Sequence, residues 1–155
     1  MTRTMLTLAA AGGSAVLLIA ALGSQYIGGL APCELCIWQR WPHLVAVILG
    51  GLGLATAGPA VPLLGAAVGL GGSGIGVYHT GVERGWWDGP AACGAPGGIG
   101  GMTPEELLAQ IMAAPVVRCD EVAWELLGLS MASWNALASL ALAGLWAMAA
   151  VRAPR

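Results

Sequence analysis

The chain has 155 residues, of which 57% are hydrophobic and only 9% charged, with a formal net charge of −2. A chain of this length folded in water has no core large enough to hide so much apolar surface. This sets aside a soluble domain and points to the lipid bilayer as a partner; no nucleic-acid partner is expected.

Four stretches lack charge for long enough to cross a hydrocarbon core of about 30 Å, which takes about 20 helical residues. They cover roughly residues 5–28, 41–58, 61–80 and 126–151, and leave connections at roughly 29–40 and 81–125. The expected fold is an all-α membrane protein: a single four-helix transmembrane bundle over residues 1–155. A long outer loop carries one short surface helix. Arg3 precedes the first stretch, Arg152 and Arg155 follow the last, and the turn between the second and third is uncharged. The positive-inside rule then places both termini in the cytoplasm and both charged connections outside.

The first stretch also has a competing reading. Arg3, an apolar run and small residues near Ala21–Gly23 resemble a cleaved signal peptide, although the run is longer than such segments usually are. After it comes Pro32-Cys33-Glu34-Leu35-Cys36-Ile37-Trp38-Gln39-Arg40. Pro32 suits a position just before a helix start, which puts Cys33 and Cys36 at the N-terminal end of the second span. Free N–H groups and the helix dipole favour a thiolate there. Arg40 follows Cys36 by four residues, on the same helical face. Trp38 and Trp41 fit an interfacial aromatic belt.

The second span ends at Gly58-Pro59 and Pro62 opens the third, so the two should form a tight antiparallel hairpin. Gly65, Gly69 and Ser73, like Gly72 and Gly76, recur every four residues. Such a stripe lets helices approach closely in lipid. His79 falls at the outer end of the third span, at the same expected depth as Arg40. It is either simply solvated there or a donor to a bound ligand.

From Glu83 to Glu125 the chain turns polar and rich in Gly and Pro, as a mobile loop would be. Trp86 and Trp87 are expected to anchor its start to the bilayer. Thr103-Pro104-Glu105-Glu106 has the cap, the proline and the capping-box acid of a helix start, and Pro115 ends that segment. Cys93 and Cys119 bracket it. In the fourth span Asn135 and Ser139 are candidates for hydrogen bonds between helices.

Three readings of the four cysteines compete. A zinc site of four thiolates is weakened by the lack of knuckle spacing around Cys93 and Cys119. Structural disulfides suit an oxidising compartment, yet a ring as small as Cys33–Cys36 stabilises little. The third reading is a redox relay: one pair in a mobile loop meets a soluble protein, the other meets a lipid-soluble electron carrier, and thiol–disulfide exchange connects them. A non-catalytic, disulfide-stapled membrane scaffold remains the alternative function.

With four spans, Pro-Cys-x-Leu-Cys-x-x-x-Arg before the second, Tyr78-His79 after the third and two loop cysteines before the fourth, the chain resembles the bacterial DsbB-type disulfide bond formation proteins. These are inner-membrane enzymes that reoxidise periplasmic DsbA and reduce a quinone. The vitamin K epoxide reductase type, also a four-span thiol–quinone relay, usually carries its Cys-x-x-Cys after the loop cysteines, whereas here it comes first. The resemblance implies redox-active disulfides Cys33–Cys36 and Cys93–Cys119, with all four cysteines catalytic and periplasmic. A reduced DsbA-like thioredoxin-fold partner attacks the loop pair at Cys93. Cys119 then attacks Cys33, and Cys36 passes electrons to ubiquinone or menaquinone. Arg40 and His79 are the implied quinone-binding residues, and no metal is implied. The sequence departs from some relatives at Gln39, where they carry an acid beside the arginine. The spans as predicted hold no acidic residue.

Overall fold

A computed structural model describes residues 1–90, 93, 103–105, 108 and 117–154. Among these, four long helices pack side by side: α1 (Arg3–Tyr26), α2 (Glu34–Ala55), α3 (Ala60–Glu83) and α4 (Met131–Val151). They alternate in direction, so both termini lie at one end. There the Arg3 guanidinium donates to the Gly58 carbonyl and Arg152 donates to the Met1 carbonyl. All the described cysteines lie toward the other end.

Three of the helices, α1, α3 and α4, are long and apolar enough to cross a membrane. α2 is 22 residues long, but its first turns hold Glu34, Gln39, Arg40 and His43. It starts at Glu34, where Pro32 and Cys33 were expected to open it, so the apolar stretch from 41 is only its later part and most of the connection predicted at 29–40 is helix. Periodicity was masked there because the polar residues face a shared interior and not solvent.

The bundle is arranged as lipid requires. Small or polar side chains such as Ala10, Ser14, Ala132, Ala136, Ser139 and Ala143 are buried, while Val16, Ile19, Leu64, Leu70, Val77 and Leu140 face outward. Lipid rewards close packing of backbones more than burial of large side chains. The glycine stripe of α3 lies on α4, as its spacing predicts. A Cβ on Gly69 would sit 2.9 Å from that of Ala143, and one on Gly76 would sit 2.9 Å from that of Ala136 and 3.0 Å from its Cα. Gly65 lies under the ring of Trp146, and Gly72 faces Pro42 of α2. The α2–α3 turn is short, with Pro59 as the N-cap and Pro62 in the first turn of α3.

The fourth span starts later than residue 126. Glu125–Leu126 (β1) pairs antiparallel with Leu129–Ser130 (β2). The two residues between them, Leu127 and Gly128, both have positive φ, 55° and 77°. That is the backbone of a two-residue hairpin turn and is incompatible with helix. Ser130 then caps α4 by accepting from the Ser133 N–H at 3.2 Å. The surface helix expected from Thr103 lies largely outside the described residues, although Pro104 and Glu105 are helical. Trp87 stacks on Tyr78 with 6.0 Å between ring centroids and lies over Gly81, with part of its ring still exposed.

Candidate active site

Cys33 is the N-cap of α2. Its backbone is extended, and its sulfur accepts from the Cys36 N–H at 3.2 Å. A capping residue and the third residue of the helix naturally face each other, as in a capping box. The Cys-x-x-Cys spacing therefore brings the two sulfurs to 2.9 Å, both as free thiols.

This pair precedes the apolar part of α2, and its protonation is asymmetric. The hydrogen bond from the Cys33 thiol draws Cys36 down to about 7, helped by the positive charge of Arg40, while burial and Glu83 oppose it. The same hydrogen bond, together with burial, pushes Cys33 well above the ordinary thiol range. One proton is thus held on Cys33, and Cys36 is the nucleophile or electron donor.

Cys93 and Cys119 are joined by a disulfide with 5.3 Å between Cα atoms. After α3 the chain turns back through Gly85, at φ +66°, and Tyr78 donates to the Asp88 carbonyl. This fold brings Cys93 down over Val82. The disulfide is not held away from the bundle: Cys33, Leu35, Val82, Cys93 and Cys119 form one buried cluster, with Cys36 packed against it. Both cysteine pairs therefore share a single contact zone.

A cavity opens beside them, bordered by all four helices and by the stretch around Arg118. Cys36, Arg40, His79 and Glu83 all line it. Arg40 is anchored on α1, where it donates to Gln25 Oε1 at 2.6 Å and to the Ala21 carbonyl at 3.5 Å. Its buried Nε has no partner. An unpaired buried donor is costly, so the site is suited to an acceptor oxygen.

His79 is buried at 3% exposure, which overturns the solvated reading. Its Nε2 lies 3.6 Å from Cys33 Sγ and 4.0 Å from Glu83 Oε1, and its Nδ1 lies 2.6 Å from Gln39 Nε2. The structure thus brings all six sequence-predicted site residues to one end of the bundle.

It also connects Gln39 and Asn135, noted in the sequence for other reasons, and adds His43 and Glu83, which the sequence did not single out. Gln39 meets Asn135, and Asn135 meets His43. Glu83 closes α3 and accepts from Ser130. Because α3 runs on past residue 80, an acidic group does end one of the long apolar helices, contrary to expectation. Asn135 forms interhelical bonds as predicted, whereas Ser139 Oγ is buried without a partner. Of the added residues, Glu83 could have been found by sequence inspection, through its regular i, i+4 pairing with His79.

Residues 3–149 match the family described as disulfide bond formation protein DsbB. The chain belongs to the DsbB family. It is 37% identical over 137 residues to disulfide bond formation protein B of Methylococcus capsulatus, covering 83% of this chain and 82% of that protein. It is 32% identical over 143 residues to the protein of the same name from Hahella chejuensis, covering 84% and 83%. A third, from Albidiferax ferrireducens, is 32% identical over 118 residues, covering 72% of this chain and 66% of the relative. No solved structure is significantly similar to the chain. Membership in the DsbB family makes this a membrane protein of disulfide bond formation, and its closely packed cysteine pairs fit that chemistry.

Proposed function

We propose that the chain is an inner-membrane thiol:quinone oxidoreductase that reoxidises a periplasmic DsbA-like dithiol, with four membrane spans and both termini cytoplasmic. The observation that best supports this is the shared cluster in which the Cys93–Cys119 bridge packs on Cys33, next to a cavity bearing Cys36, Arg40 and His79. Cys93 is 9% exposed and Cys119 fully buried, so Cys93 is the sulfur an outside thiolate reaches first.

The partner's thiolate attacks Cys93, the Cys93–Cys119 bond breaks, and Cys119 leaves as a thiolate. The partner's second thiol displaces Cys93, and the partner departs oxidised. Cys119 attacks Cys33 of a Cys33–Cys36 disulfide, freeing Cys36, and Cys93 then displaces Cys33 to restore the Cys93–Cys119 bridge. The pairing in the structure, with the bridge closed and Cys33 and Cys36 as thiols, corresponds to this stage. A bound quinone, ubiquinone or menaquinone, supplies a sink for the two electrons and two protons that leave the dithiol. Arg40 and His79 are the residues placed to hold its oxygens. Arg40 would act as a permanently charged group beside the Cys36 thiolate.

The exchange between pairs can be trapped. A double variant, Cys36→Ser with Cys93→Ser, leaves Cys33 and Cys119 as the only thiols. It is expected to form a Cys33–Cys119 disulfide on mild oxidation, identified by mass spectrometry of the linked peptides. If the two stay reduced while the folded protein is intact, the relay is refuted and a stapled scaffold is favoured.

A further inference from the structure

His79 sits between a hydrogen-bond donor on one side and acceptors on the other. On the Nδ1 side is the Gln39 amide nitrogen, at 2.6 Å. The Leu35 carbonyl favours this orientation of the amide, and the contact to Asn135 agrees with it. Its Nε2 also faces the Leu35 carbonyl at 3.4 Å, and its Oε1 accepts from Asn135 Nδ2 at 2.6 Å. A flipped amide would set oxygen against oxygen at Leu35 and nitrogen against nitrogen at Asn135. Asn135 in turn meets His43, whose Nε2 lies 2.8 Å from Oδ1. On the Nε2 side are Cys33 Sγ at 3.6 Å and Glu83 Oε1 at 4.0 Å. The Cys119 backbone is a further partner of the ring.

We infer that Gln39 and Asn135 are positioning residues that lock His79 as the Nε2–H tautomer, a donor and not a base, whose N–H faces Cys33 in this structure and would be the group it offers to a quinone oxygen. Every bond in the chain then points one way. His43 donates to Asn135, Asn135 to Gln39, Gln39 to His79, and His79 to Cys33, whose own S–H is directed at Cys36. Hydrogen bonds aligned in series polarise one another, so donors on α2, α3 and α4 converge on the sulfur that carries the negative charge. With Nδ1 occupied by an N–H, the ring has no nitrogen free to collect a second proton. Among the described residues, the charged or titratable groups that face this ring and Cys36 are Cys33, Glu83 and Arg40. The use of this lock rests on the thiol–quinone reading, whereas the tautomer itself does not.

The chain has only two histidines, which makes nitrogen NMR of the histidine-labelled, reduced, full-length protein in lipid nanodiscs a direct test. A His79→Asn variant assigns the signals. The expected wild-type result is an imine-type Nδ1 and a pyrrole-type Nε2 for His79. Gln39→Glu presents only acceptors, so it should shift Nδ1 to the pyrrole-type position. A pyrrole-type Nδ1 in the wild type overturns the inference even if the Gln39 variant does not fold. An unmoved Nδ1 in a folded Gln39→Glu protein overturns it as well. Quinone reduction measured on the same wild-type sample separates the two readings: its absence would refute the proposed function and leave the tautomer standing.

Discussion

Cys33 has two duties that pull in the same direction. As the N-cap of α2 it satisfies a backbone N–H, and as the holder of the shared proton it leaves Cys36 charged near neutral pH. The sign of the pH dependence follows. Above about 7 Cys36 is mostly thiolate and reacts quickly with an alkylating agent; below it the rate falls as the sulfur gains a proton. Arg40→Gln removes a favourable charge, so the midpoint of that alkylation profile should move up by about one unit. A midpoint that stays in place would deny Arg40 its electrostatic part. At this scale the sequence was legible where the chemistry is local. Cys33, Cys36 and Arg40 lie within eight residues, and helical spacing relates them. Asn135 was legible as an interhelical hydrogen-bonding group, but the roles of Gln39, His43 and Glu83 were not, because they come from contacts that reach from α2 to α3 and α4. A buried glutamine reads in a sequence like any surface glutamine.

The elements show where hydropathy succeeds and where it fails. α1 and α3 appear nearly as predicted, since each is apolar on all sides and bounded by glycine or proline. α2 starts where Pro32 and Cys33 announce it, ahead of its apolar stretch, because its first turns hide polar side chains inside the bundle. α4 starts later because Leu127–Gly128 form a turn that average hydropathy does not register. The contact between α3 and α4 depends on the glycine stripe. Gly76→Val would drive a branched side chain into the backbone of Ala136, which a Cβ would already approach to 3.0 Å. Overpacking of this kind costs about 1–3 kcal/mol. Thermal unfolding in detergent should therefore begin several degrees lower, whereas Gly71→Val, where a Cβ meets nothing within 4 Å, should leave it unchanged. Equal effects at the two positions would mean that the stripe does not set the helix approach.

For the whole molecule, the alternation of four helices puts the arginines of the termini at one end and both cysteine pairs at the other. That separation was legible from charge placement, and it is what a relay across one membrane face needs. What charge placement does not convey is that the two pairs meet: the loop bridge shares one buried cluster with the capping cysteine of α2. The central claim is that electrons entering at Cys93–Cys119 leave through Cys36 to a quinone. The most direct measurement mixes the purified protein anaerobically with a reduced DsbA-like dithiol and a quinone, and follows quinone absorbance. The wild type should reduce the quinone in proportion to the dithiol consumed, and Cys36→Ser should abolish turnover. Sustained turnover by Cys36→Ser, or none by the wild type, would contradict the account.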